Sequence, residues 1–185
     1  MVKVNFNPHL QLQRYIESLC PNALLECRFP HINRIADVLI GQTVFEIQVS
    51  PITVSEVQER NHDYESQGLT IVWLLHDKRY NQKLLPYAEG YLRKQRYALF
   101  FRVEHTGECL IYNQFEKIEG RVRIVRSPPQ PIDLRRGDPL IVSREKERAW
   151  RKEIEPPRPL KQRLLRPYLR HLQRLLERSS GTNSV

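Results

Sequence analysis

The chain has 185 residues, 40% of them hydrophobic, and a formal net charge of +9. That length supports one compact domain of roughly 100–150 residues plus an appendage. No stretch approaches the ~20 apolar residues of a membrane span. The opening Met1-Val2-Lys3-Val4-Asn5 lacks the apolar core of a secretory signal, so a soluble, cytoplasmic protein is expected. Three scattered cysteines (Cys20, Cys27, Cys109) form no CxxC pair, and the six histidines do not supply zinc-finger spacing either. A structural zinc and a disulfide framework are both set aside on that ground.

The charge is unevenly spread. Residues 1–120 carry 13 Lys+Arg against 14 Asp+Glu, and residues 121–185 carry 17 against 7. A near-neutral body with a basic tail fits a folded core beside a polyanion-binding element, and equally a core with a solubilising tail.

In chain order, residues 9–19 read as a helix, with Asn7 as N-cap and Pro8 in the first turn. Residues 23–29, 34–40 and 43–49 read as three strands. Pro30–Asn33 turns between the first two, and Gly41-Gln42 forms a two-residue loop with glycine where a type II′ turn requires it. Thr53, followed by Glu56, is a capping-box start for a helix reaching Gln67, with Gly68 as its C′ residue. Residues 69–75 are nearly all apolar and β-prone, as in a strand buried on both faces. Strand, helix and buried strand make a βαβ unit.

Beyond this, residues 84–94 suit a helix, and 97–103 with 109–113 suit a hairpin to which 121–126 adds a third strand. Residues 127–139 are rich in proline and glycine and read as a linker. Residues 144–154 and 160–178 look helical. There are no internal repeats.

The chemistry concentrates in residues 26–48. With Gly41-Gln42 as the loop, Ile40 faces Thr43, Val38 faces Phe45, and Asp37 faces Glu46. A four-residue turn at 30–33 likewise sets Glu26 opposite Asp37. Three carboxylates then line up across adjacent strands, an arrangement that destabilises a sheet unless a counter-charge is present. A divalent cation supplies one, and hard oxygen ligands suit Mg²⁺ or Mn²⁺. Gln48 lies two residues beyond Glu46 on the same face. The competing reading is a solvent-facing sheet whose acids pair with Arg28 and Arg34.

The run Arg34-Ile35-Ala36-Asp37-Val38, followed by Glu46-Ile47-Gln48-Val49-Ser50-Pro51-Ile52, resembles the motif of competence protein CoiA-like nucleases of the PD-(D/E)xK superfamily. The resemblance continues through Glu59-Arg60, Tyr64, Gly68 and Ile71-Val72-Trp73-Leu74-Leu75, and covers roughly residues 23–76. It implies an α/β fold with an αβββαβ core at residues 1–126, followed by a linker and a basic, mainly helical extension at 127–185.

It further implies a metal-dependent hydrolase cutting phosphodiester bonds in DNA, in uptake, recombination or processing. The metal ligands would be Asp37, Glu46 and the Ile47 main-chain carbonyl. Gln48 stands in the place of the usual lysine, and such sequences tolerate Gln there. It can orient a water but cannot neutralise transition-state charge, which keeps open a weakly active or inactive nucleic-acid-binding module. Glu26 is a candidate further ligand or general base, with Glu17 a weaker one. CoiA-like proteins often carry a cysteine-bearing segment ahead of the nuclease core, and this chain begins almost at the core, which suits a short stand-alone relative.

On the 53–67 helix, Glu56, Arg60 and Tyr64 share one stripe. Arg60 is a candidate phosphate contact and Tyr64 its positioner, against the alternative of a Glu56–Arg60 surface pair. On the expected 160–178 helix, leucines fill one side and Lys161, Arg163, Arg166, Arg170, Arg174 and Arg178 the other. That helix reads as a DNA-grasping arm, as a leucine face that docks on the core, a second copy or a partner protein, or as an attachment to an anionic membrane surface. The first two are compatible and are carried forward, with DNA as the expected partner and no membrane.

Overall fold

The computed structural model describes residues 7–95, 98–104, 106–135 and 139–154. The chain divides into two units, Met1–Glu147 and Arg148–Val185. Arg163, Arg166, Arg170 and Arg174, with the 160–178 helix expected to carry them, lie outside the described residues.

Helix α1 (Pro8–Leu19) starts where Asn7 accepts hydrogen bonds from the His9 and Leu10 amides, and Pro8 sits in its first turn. Strand β1 (Leu24–Phe29) runs antiparallel to β2 (Arg34–Ile40), and β2 antiparallel to β3 (Thr43–Gln48). The expected register holds at Phe29↔Arg34, Val38↔Phe45 and Ile40↔Thr43. Of the two loop residues, Gly41 alone has positive φ, at +60°, as a type II′ turn requires.

The Thr53–Glu56 capping box opens helix α2 (Val54–Ser66), and Gly68, at φ +72°, follows its C-cap. The chain then enters β4 (Thr70–His76), buried at every residue but the first and parallel to β3. Helix α3 (Tyr87–Gln95) leads to β5 (Ala98–Val103), parallel to β4, and β6 (Cys109–Asn113) returns antiparallel. The seven-stranded sheet has the order β1-β2-β3-β4-β5-β6-β9, where β9 is Gln130–Pro131; β7 (Glu116–Glu119) and β8 (Val122–Arg126) form a separate two-stranded ladder. Helix α4 spans Pro139–Ile154.

Two apolar layers hold this mixed α/β unit together. Leu12 and Ile16 of α1 pack on Val38, Phe45, Ile47, Leu74 and Phe101. On the other face, Val57 and Tyr64 of α2 and Leu92 of α3 pack on Val44, Ile71, Trp73, Leu75 and Phe100. Each fully buried side chain of this size contributes on the order of 1.5–3 kcal/mol. Among the described residues, no helix is long and apolar enough to cross a membrane.

Four expectations are corrected. Helix α3 begins later than residue 84, because Leu84 bridges to Val122 and the Leu85 amide donates to the Arg121 carbonyl. Residues 122–126 pair with β7 rather than extending the β5–β6 hairpin. Residues 127–135 are not a linker: Ser127 donates its amide to Phe115, Gln130 and Pro131 pair with β6, and Leu134 is buried in the α1 layer. Proline at a sheet edge costs no ladder bond, so its abundance there misreads as a boundary.

The fourth correction bears on the site. Glu26 is left-handed, at φ +51°, and the strict alternation of faces breaks on either side of it. Leu25 and Val38 pack in the α1 layer, while their near neighbours Cys27 and Ala36 pack in the α2 layer. The pairs flanking Glu26 and Asp37 survive (Leu25↔Val38, Cys27↔Ala36), but the two acids do not form a ladder pair.

Candidate active site

Glu46 sits near the middle of β3, beside Trp73 of β4 in the parallel register, with only 2% of its surface exposed. Its face of the sheet is the one α2 covers, and α2 supplies its partners. The Arg60 guanidinium lies 2.7 Å from Oε2, and the Tyr64 hydroxyl donates to Oε1 at 2.8 Å. Spacing of four residues on α2 delivers both side chains to one carboxylate. The Arg60 guanidinium also rides 5.9 Å from the Trp73 ring centroid, within reach of a cation–π contact. Trp73 is fixed in turn by its indole donating to Asn61, 2.8 Å away.

The β2–β3 ladder stops at Val38↔Phe45. One step further, the Asp37 side chain takes over: its Oδ2 accepts the Ile47 amide at 2.6 Å. Its Oδ1 lies 3.1 Å from His9 Nε2. Gln13, one turn along α1 and 3% exposed, donates to both the Glu26 carboxylate and the Asp37 carbonyl.

The electrostatics join these pieces. Burial pushes the Glu46 carboxyl above its usual range, and the Asp37 charge pushes it the same way. Tyr64 and Arg60 pull it down without cancelling the rise. The hydrogen bond to Asp37 raises the His9 imidazole above its ordinary value, with burial working against it and the charges of Asp37, Glu26 and Glu46 adding to it. Burial and the neighbouring Glu46 carboxylate raise the Tyr64 phenol well above its normal value, so it stays a donor. An acidic pair with incomplete compensation therefore sits where two strands part.

Of the sequence-derived site residues, Asp37, Glu46, Arg60 and Tyr64 come together. Ile47 meets Asp37 through its amide. Gln48 is buried on the Glu46 face, but its amide donates to the Ser50 carbonyl at 2.7 Å, an oxygen that also accepts the Tyr80 hydroxyl. Glu26 is exposed and tied to Gln13. The row of three carboxylates is thus not built as a metal-ligand cluster, and among the described residues no group of three or more His, Cys, Asp or Glu gathers to hold an ion. Glu17 is exposed and makes none of these bonds.

Two competing pairings are also absent. Glu56 is engaged by Thr53, whose hydroxyl and amide lower its carboxyl. Arg34 pairs with Glu59 and Asp63 of α2 rather than with the strand acids. His9 and Gln13 are not singled out by the sequence pattern. Their i, i+4 spacing on α1 is visible there, but only the seating of α1 on the sheet turns that stripe toward Asp37.

The family described as competence protein CoiA, nuclease-like domain, matches residues 7–122, which hold every element of this site. The chain belongs to that family. The CoiA assignment carries nuclease-like function, and with it hydrolase chemistry, to a mixed α/β fold whose acidic centre lies inside the matched span. No curated protein and no solved structure matches the chain.

Proposed function

We propose that the chain is a metal-dependent nuclease with a PD-(D/E)xK core that hydrolyses phosphodiester bonds in DNA, with Asp37 and Glu46 as metal ligands. One observation carries this reading. Glu46 is a buried carboxylate beside a second acid, and it stays raised despite an arginine and a tyrosine hydroxyl bonded to it. A further cation near both acids relieves that repulsion. Two carboxylates suit Mg²⁺ or Mn²⁺, which take one or two such ligands and fill the remaining positions with water, main-chain oxygen such as the Ile47 carbonyl, and substrate phosphate.

Bound there, the metal supplies Lewis-acid polarisation of the scissile phosphate and a water acidified for attack. The chain's own residues do the rest. Tyr64 fixes one Glu46 oxygen. Arg60, about a third exposed and bonded to Glu46 through Nη1, turns its other outer nitrogen, Nη2, to a phosphate. The Ile47 amide and His9 fix the orientation of Asp37. Gln48, released from Ser50, orients a water by hydrogen bonding, and Glu26 stands as a further acid beyond Gln13.

DNA as substrate is what the CoiA resemblance implies, and the basic sequence of residues 121–185, with Arg163, Arg166, Arg170 and Arg174, suits sequence-independent phosphate contacts. The leucines in the sequence of that segment are proposed as the contact for a second copy or a partner protein.

The second reading is a nucleic-acid-binding module without efficient turnover. It is favoured by Gln48, a neutral group in the lysine position whose amide is already committed to Ser50.

The deciding experiment is cleavage of labelled single- and double-stranded DNA with Mg²⁺, Mn²⁺ or EDTA, comparing wild type with Asp37→Ala and Glu46→Ala. Metal-dependent cutting that drops by at least about 10²–10³-fold in either variant supports the nuclease. A folded wild type that binds DNA and cuts in no metal transfers the reading to the module.

A further inference from the structure

A second polar recess lies away from the acidic pair, at the carboxyl ends of the parallel strands β4 and β5. It encloses about 380 Å³ and is lined by Asp77, Lys78, Asn81, Arg102, Tyr112 and Arg126, among others. Ligands of open α/β sheets gather in crevices beyond the carboxyl ends of the strands, and the volume is in the range of small-ligand sites.

The lining is wired in place. Asp77, 8% exposed, accepts from Arg102 Nε at 2.7 Å and from the Tyr112 hydroxyl at 3.0 Å. Asn81 donates to the Tyr112 hydroxyl, and Arg126 donates to the Asn81 carbonyl at 3.0 Å. Asp77 is thereby neutralised by Arg102. Lys78 and Arg126, both exposed, have no acidic partner among the described residues. Arg102 Nη1 also lies 3.9 Å from Glu104, so Lys78, Arg102 and Arg126 stand against Asp77 and Glu104, and the recess with its rim keeps an excess positive charge of one.

The recess is joined mechanically to the acidic site. The segment after β4 that forms its floor also carries Tyr80, whose hydroxyl bonds the Ser50 carbonyl that Gln48 uses. Burial raises the Tyr80 phenol to about 12, so this donor persists at all ordinary pH. Gln48, Leu75 and Phe100 stand in register across β3, β4 and β5 between the two sites.

We propose that this recess holds a backbone phosphate of the nucleic-acid strand, through Lys78, Arg126 and Nη2 of Arg102, at a distance from the bond to be cut. The inference rests on the nuclease reading for the identity of the strand, but not on turnover. Arginine and lysine at a recess with preset donors suit a phosphodiester, which offers non-bridging oxygens to both.

The test measures binding of a fluorescent single-stranded oligonucleotide to the full-length chain in EDTA, where no cleavage intervenes, across a salt series. Wild type is compared with Lys78→Ala/Arg126→Ala and with the charge-retaining Lys78→Arg/Arg126→Lys, each checked for an unchanged melting temperature. The expected result is a Kd raised about tenfold in the alanine variant, with the slope of log K against log salt reduced by roughly 0.7 for each phosphate that is no longer neutralised. The charge-retaining variant should restore both.

Unchanged affinity and slope in the alanine variant overturn the proposal. So does competition by a free nucleoside monophosphate at the concentration that displaces the strand, which would mark a mononucleotide site instead. Asp37→Ala, tested alongside, should bind as wild type does. Loss of cutting in Asp37→Ala with retained binding separates the fate of the nuclease reading from that of this one.

Discussion

Two ionic clusters lie under the same face of the sheet, and they differ in kind. In the first, Glu46 meets Arg60 and Tyr64 beside Asp37. In the second, Arg123 of β8, with none of its side chain exposed, bonds Glu89 of α3, Glu116 of β7 and the carbonyls of Tyr80 and Gln82. Arg93 adds bonds to Glu116, Asn113 and the Gln114 carbonyl.

The second cluster also displaces a carboxyl: burial drives Glu89 up to about 8, with the Arg123 charge opposing it. Yet it is sealed, its guanidinium is surrounded by oxygen acceptors on all sides, and it ties α3 to the small β7–β8 ladder. The first is partly open at Arg60 and Asp37 and holds two acids against one guanidinium. A displaced pKa therefore does not by itself locate chemistry. The balance of charge and access to solvent separate a staple from a site.

The comparison breaks most visibly at Arg123. Arg123→Ala strips Glu89 and Glu116 of a shared buried cation, and the loss of one partner of a buried ion pair costs about 3–5 kcal/mol. Urea unfolding should show that loss. A cost below about 1 kcal/mol would mean the cluster is not the staple described.

Next in size is a pH effect. A carboxyl raised in the folded state from 4.5 to about 8 favours folding while it is protonated. Its contribution is complete below about pH 4.5 and is lost as pH rises through about 8. Stability measured across that window should fall toward high pH in wild type, and Glu89→Gln should remove that part of the slope. An unchanged slope would remove Glu89 as its source.

The smallest effect sharpens the other side. Arg60→Ala takes from Glu46 a cation that lowers its carboxyl, so the acidic limb of any cleavage profile should move to higher pH while stability changes by less than Arg123→Ala costs. An acidic limb that stays in place would show that Glu46 ionisation does not limit the reaction.

Much of the fold is legible from local rules. The Gly41-Gln42 loop sets the β2–β3 register, because a two-residue turn leaves no slack. The Thr53–Glu56 box and the apolar run of β4 mark their elements by chemistry that acts within a few residues. That register brings the strands together as far as Val38↔Phe45, but the expected Asp37–Glu46 ladder pair does not form, and Asp37 accepts the Ile47 amide instead.

What is not legible depends on distant contacts. The left-handed turn at Glu26, which spoils the row of three, has no signature in a non-glycine residue. The pairing of β7 with β8 and the edge position of β9 rest on very short strands. Arg60's choice of Glu46 over Glu56 is settled only by where α2 lands on the sheet.

The Asp37 bond to the Ile47 amide has a consequence for motion. At that step the sheet is closed by a side chain instead of by a neighbouring strand, so the fork between β2 and β3 is framed by two rods rather than by loops. Amide hydrogen exchange at Ile47 is therefore a direct gauge of how often that latch lets go.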